Sequence, residues 1–162
     1  MIVLGIDPGL QVCGYAVVKA DGSDCRLLEA GVIRTDRRLS LPKRLAQIAE
    51  DLGELLKSAR PAVVAVEELY SHYAHPRTAV LMGHARGVIL LGAVQSGAEL
   101  RSFSATRIKK SLTGNGRASK LQMQRTIQSV LGLPQMPEPP DVADAVAAAM
   151  CCVRVMAKDG LK

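Results

Sequence analysis

The chain has 162 residues, 48% of them hydrophobic and 22% charged, with a formal net charge of +6. That length and balance fit one domain over residues 1–162 with a sizeable core, built from aliphatic side chains because only 2% of residues are aromatic. No apolar stretch reaches membrane-spanning length without a charge, and the N-terminus enters a strand-like run with no basic region before it, which speaks against a membrane span and a signal peptide.

In chain order, residues 2–7 read as a short buried strand, closed by the turn signal Pro8-Gly9. Residues 12–19 and 26–34 read as two more strands joined by a hairpin turn at Gly22-Ser23-Asp24, so the first three strands should form an antiparallel meander. Ser40 is placed to cap a helix that opens at Pro42 and runs to Ser58, with Leu41, Leu45, Ile48, Leu52, Leu55 and Leu56 at helical spacing. A fourth strand over 62–67 follows a helix and should therefore lie parallel to the first. A loop over 68–77, a helix over 78–96 and a fifth strand over 99–103 come next. Two helices, 117–131 and 141–157, finish the chain, joined by the Pro-rich stretch Pro134 to Pro140. This order predicts an α/β domain with a mixed five-stranded sheet flanked by helices.

Four acids stand where a carboxylate costs energy. Asp7 and Glu67 each end an apolar run, and Asp141 and Asp144 stand just before the apolar stretch Ala145-Val146-Ala147 of the last helix. If the first and fourth strands pair, Asp7 and Glu67 lie side by side, and the i, i+3 spacing puts Asp141 and Asp144 on one helix face. Four clustered carboxylates suit divalent cations, Mg²⁺ or Mn²⁺, and two such ions about 4 Å apart suit hydrolysis at phosphorus. The competing structural roles are a turn for Asp7 and a helix cap for Asp141.

The positive charge is concentrated. No acidic residue occurs between Glu99 and Glu138, an interval that holds Arg101, Arg107, Lys109, Lys110, Arg117, Lys120 and Arg125. Residues 1–99 balance at eleven basic and eleven acidic side chains, so this segment carries the excess and points to a nucleic-acid partner. Tyr70, Tyr73 and Arg77, in and beside the loop after Glu67, combine aromatic and cationic groups suited to stacking on DNA and neutralising it. His72 and His75 in the same loop lack a third ligand and read as polar loop residues. The four cysteines, Cys13, Cys25, Cys151 and Cys152, form no C-x-x-C pair and read as free thiols of a reducing cytoplasm.

The motifs Gly5-Ile6-Asp7-Pro8-Gly9 with Gly14-Tyr15, Val66-Glu67-Glu68-Leu69-Tyr70, Gly83-His84-Ala85-Arg86-Gly87, Ile108-Lys109-Lys110, Gly114-Asn115-Gly116, Ser119-Lys120 and Asp141-Val142-Ala143-Asp144-Ala145 together resemble the RuvC Holliday-junction resolvases. The resemblance covers nearly the whole chain and implies a ribonuclease-H-like fold. It implies metal-binding and catalytic roles for Asp7, Glu67, Asp141 and Asp144. It also implies that Lys109 and Lys120 assist cleavage and that Tyr70 wedges against junction bases, where the family's familiar residue is phenylalanine. His84 stands where the family often has glutamine. The implied activity is cleavage of four-way DNA junctions by paired nicks that leave 5′-phosphate and 3′-hydroxyl ends, by a homodimer associated with a branch-migration helicase complex.

Three other readings compete. A phosphate-binding domain of the actin and sugar-kinase type would share the Asp-x-Gly hairpin, but it needs two such domains and a second glycine-rich loop. A non-catalytic junction scaffold would be expected to lack one of the four acids. An RNA-processing relative of the same fold fits the Val66–Tyr70 match and the basic segment less well. The Gly83-x-x-x-Gly87 pattern suits close helix packing within the domain or a contact between subunits.

Overall fold

The computed structural model describes residues 1–69 and 76–160. Its elements are β1 (Ile2–Asp7), β2 (Val12–Asp21), β3 (Asp24–Arg34), α1 (Leu41–Ala59), β4 (Val63–Glu67), α2 (Pro76–Gln95), β5 (Glu99–Phe103), α3 (Ala105–Thr113), α4 (Lys120–Leu131) and α5 (Pro140–Asp159). The five strands form one mixed sheet in the order β3-β2-β1-β4-β5. The meander β1–β3 is antiparallel, β4 runs parallel to β1, and β5 runs parallel to β4.

Alternating side chains divide the core into two layers. Leu4, Ile6, Val17, Val64 and Val66 face α1 and α2, while Val3, Ala16, Val18, Val63 and Ala65 face α3, α4 and α5. α5 is buried at every residue from Ala145 to Val153 and lies against the middle of the sheet. Its alanines allow close approach, and Gly5 completes the fit. A Cβ on Gly5 would overlap the Ala145 carbonyl oxygen and come within 2.8 Å of the Ala149 Cβ.

Several details depart from the sequence reading. The hairpin after β2 tightens to Gly22-Ser23, with Asp21 opposite Asp24, so both strands are longer than expected. Ser40 occupies the N-cap of α1, but its side chain makes no capping bond. Its carbonyl instead accepts the Arg44 amide at 3.0 Å. α3 is an additional helix. Its start is marked by Ser104, whose hydroxyl accepts the Arg107 amide at 3.3 Å, and its end by Gly114 in the left-handed region at φ 76°. α4 accordingly begins at Lys120, later than the expected start at 117.

α2 has the length and hydropathy of a membrane-crossing helix. In this fold one of its faces packs on α1 through Ala85, Ile89 and Ala93. Gly92 supplies the close approach, with a Cβ there 3.2 Å from a Leu52 methyl. Among the described residues, nothing lies within 4 Å of a Cβ built on Gly83 or Gly87, so neither mediates close packing against them. On the outward side, Val80, Leu91 and Val94 are 58%, 58% and 61% exposed.

Candidate active site

The acids gather because three elements end or begin at one edge of the sheet. Ile6 pairs with Val66, so Asp7 and Glu67 terminate neighbouring parallel strands. Asp7 lies opposite Gly14 on β2, and a side chain at Gly14 would overlap the Asp141 backbone carbonyl. That missing side chain lets the first turn of α5 settle against β2. Asp141 and Asp144 thereby come into the electrostatic reach of Asp7. Asp141 sits inside the helix, whose N-cap is Pro139, so it does not serve as the cap.

The cluster carries the cost expected of buried like charges. Burial first, then repulsion from Glu67, Asp144 and Asp141, pushes the Asp7 carboxyl up to about 8, against a smaller lowering by Lys120. Burial and then Asp144 raise Glu67 to about 7, opposed by Lys109 and Lys120. Asp144 is also raised by burial, which outweighs the attraction of Lys120. Among the described residues, no three His, Cys, Asp or Glu side chains converge closely enough to enclose a cation on their own. Beside Asp7, burial pushes the Cys13 thiol up to about 12.

Two lysines reach this edge from separate helices. Lys120 is the first residue of α4 and places its Nζ 3.5 Å from Asp144 Oδ2. A reciprocal capping box fixes that helix start. The Ser119 hydroxyl accepts the Gln122 amide at 3.2 Å, and the Ser119 amide donates to Gln122 Oε1 at 2.8 Å. Lys109, on α3, acts on both Glu67 and Asp144. The other basic candidates, Arg77, Arg107, Lys110, Arg117 and Arg125, are exposed on α2, α3, the turn after α3, and α4. Arg107 lies over the Phe103 ring at 5.3 Å. Tyr70, Tyr73, His72 and His75 lie outside the described residues.

Arg86 escapes the sequence reading. From α2 it donates through Nε to the Glu67 carbonyl at 3.4 Å and through Nη2 to the Ser102 hydroxyl at 3.1 Å. It thus ties the helix to the ends of β4 and β5, beside the Glu68 amide that donates to the Phe103 carbonyl at 2.9 Å. A cation in the apolar middle of a helix was the available signal, since such a residue needs a buried acceptor. His84, on the exposed side of the same helix, has its Nδ1 2.8 Å from the Val80 carbonyl.

The family model described as "Crossover junction endodeoxyribonuclease RuvC" matches residues 3–152. A protein of that name from Rhodopirellula baltica is 49% identical over 149 residues, covering 92% of this chain and 84% of the relative. One from Heliobacterium modesticaldum is 41% identical over 152 residues, covering 94% and 93%. The solved structure of Thermus thermophilus RuvC superposes with a TM-score of 0.87 at 32% identity and covers 96% of each chain. A structure of the Thermus thermophilus protein in complex with Holliday junction substrate gives a TM-score of 0.86 at 30% identity.

Proposed function

The chain belongs to the RuvC family of crossover junction endodeoxyribonucleases, and from that membership we propose that it is a metal-dependent endonuclease that resolves four-way DNA junctions. The cut is made by paired, symmetric nicks that leave 5′-phosphate and 3′-hydroxyl ends, in recombination and repair. One observation carries this reading. Asp7, Glu67, Asp141 and Asp144 gather at one sheet edge, with Lys109 and Lys120 acting on them from two helices.

The donor set suits hard divalent cations. It offers carboxylate oxygens alone, and the raised Asp7 and Glu67 mark a charge penalty that a cation relieves. Mg²⁺ keeps water and substrate phosphate oxygens among its ligands, so the carboxylates need not enclose it. When bound, Mg²⁺ or Mn²⁺, two ions per site, supply Lewis-acid polarisation of the phosphodiester and a nucleophile at neutral pH. The chain's residues do the rest. The four carboxylates would hold the ions at the sheet edge, where the scissile phosphate meets them. Lys109 and Lys120 offset charge that develops on the phosphoryl oxygens.

Binding and cutting fall to different residues in this reading. Tyr70, Tyr73, Arg77, Arg107, Lys110, Arg117 and Arg125 hold the DNA. Arg86 holds the Glu67 backbone in place. The whole of residues 1–162 forms one nuclease domain that acts in the cytoplasm. The outward face of α2 joins two copies into a homodimer, since Val80, Leu91 and Val94 are exposed there and Gly83 and Gly87 leave room for a second helix. A two-fold pair of sites matches the symmetry of a four-way junction. A branch-migration helicase complex completes the assembly by analogy with the family.

The test is cleavage of a synthetic four-way junction and of linear duplex of the same sequence, with Mg²⁺ and with EDTA. Paired, ligatable nicks on the junction alone, and only with metal, are the expected result. Equal cutting of linear duplex, or cutting in EDTA, would overturn the reading.

A further inference from the structure

We propose that a hollow between α3 and the far end of α5 is a second phosphate-binding site, which grips the duplex arm of a junction away from the cut. The hollow has a volume of about 480 Å³, and Arg107, Lys110, Arg154 and Lys158 all line it. Arg107 and Lys110 share a face of α3, and Arg154 and Lys158 share a face of α5. Four cations around one concavity repel one another, and a polyanion relieves that repulsion. Among the described residues, the one acid lining it, Asp159, already faces Arg101, whose Nη1 lies 3.4 Å from its Oδ2.

The two arginines are held in place without DNA. Arg154 Nη1 donates to the Ser111 carbonyl at 2.6 Å, and the Arg107 guanidinium lies over the Phe103 ring at 5.3 Å. Fixed guanidinium forks lose little freedom on meeting phosphate oxygens, and their planar donors match them.

The hollow is distinct from the cutting edge. The cations that act on Asp7, Glu67 and Asp144 are Lys109 and Lys120, not these four. Lys158 lies about 21 Å from Asp144 along α5, at the helical rise of about 1.5 Å per residue. That span corresponds to roughly six steps of a DNA strand at about 3.4 Å each. The sequence hides the site, because residues 138–162 hold three basic and four acidic side chains and look balanced. Only the packing of α5 against α3 brings Arg154 and Lys158 beside the basic segment. The ligand is the sequence-independent phosphodiester backbone of duplex DNA.

This proposal rests on the junction-resolving reading, so its test separates the two. Full-length protein is titrated in EDTA, at several salt concentrations, with junctions of one core sequence. Their arms are either about 5 or about 20 base pairs long and closed by hairpin loops, so that the short arms end before the hollow. Long arms are expected to bind the parental protein about tenfold more tightly than short ones. The double variant Arg154→Gln/Lys158→Gln should lose most of that gain, and its salt slope on long arms should fall by about 2. Lys158→Glu alone, at an exposed position, should lose at least about threefold of the gain. It covers the case in which loss of the Arg154–Ser111 bond weakens the fold. An unchanged long-to-short ratio and salt slope in Lys158→Glu would overturn the proposal. No preference of the parental protein for junctions over linear duplex would overturn the junction reading itself.

Discussion

Asp7, Glu67 and Asp144 are held half-buried at the ends of β1 and β4 and at the start of α5, whereas Arg107, Lys110, Arg117 and Arg125 stand exposed on α3, the turn after it, and α4. The acids are placed by strand register and by a helix pressed against glycines. Their charge is disfavoured, with Asp7 raised to about 8 and Glu67 to about 7. The cations are placed by local capping and sit in water, where charge costs little. Among the described residues, Lys109 and Lys120 bridge the two regions. In the proposed reading, affinity for DNA belongs to the exposed surface and reactivity to the carboxylate edge, so the two properties should respond to different substitutions.

The largest effect is expected from Glu67→Gln, which removes one carboxylate and leaves every exposed cation in place. Junction cutting should fall by about a thousandfold or more, measured as single-turnover cleavage with Mg²⁺. A fall of only a few-fold would break the division of labour.

Lys120→Gln probes the bridge. Its Nζ sits 3.5 Å from Asp144 Oδ2, so the variant should cut roughly tenfold to a hundredfold more slowly. Its salt slope for junction binding should fall by no more than about 1. A purely electrostatic DNA contact would show the opposite pattern, with weaker binding and an unchanged maximal rate.

A third expectation concerns stability. Asp7 has its pKa near 8 in the fold against an ordinary 3.8, so between those values the folded chain keeps a proton that the unfolded chain has released. Without metal, this contribution is complete below about pH 4 and is lost as pH rises through about 8. Glu67, raised to about 7 from 4.5, acts in the same direction. Urea denaturation in EDTA should therefore show stability falling by about 2 kcal/mol or more across this window. Mg²⁺ should restore stability, most of all near pH 8. Asp7→Asn should flatten the metal-free pH dependence.

Arg125→Ala sharpens the other side of the comparison with the smallest effect. Junction binding should weaken by about threefold, and the salt slope should drop by about 0.9. Filter-binding across a salt series measures both.

Much of this architecture is legible in the residues. The apolar runs ending at Asp7 and Glu67 mark two strands, and the helix between them implies that these run parallel, which the Ile6–Val66 pairing bears out. The spacing of Asp141 and Asp144 similarly anticipates one helix face. α3 is not legible from periodicity, because only Ile108 and Leu112 of its nine residues are buried. Its signals are local, at Ser104 and Gly114. The close approach of α5 depends on the absence of side chains at Gly5 and Gly14, and a glycine in a strand does not announce which neighbour will occupy the space. The contact of Arg86 with Glu67 joins residues on different elements, and helix spacing alone cannot reveal it.

The most direct test of the central division measures binding and cutting of one four-way junction by Asp7→Asn and the parental protein, side by side. With Mg²⁺, Asp7→Asn should bind within about threefold of the parental protein, because phosphate contacts dominate affinity, yet leave the junction uncut. Cutting at the parental rate would contradict the assignment of reactivity to the carboxylate edge, and loss of binding together with cutting would contradict its separation from the basic surface.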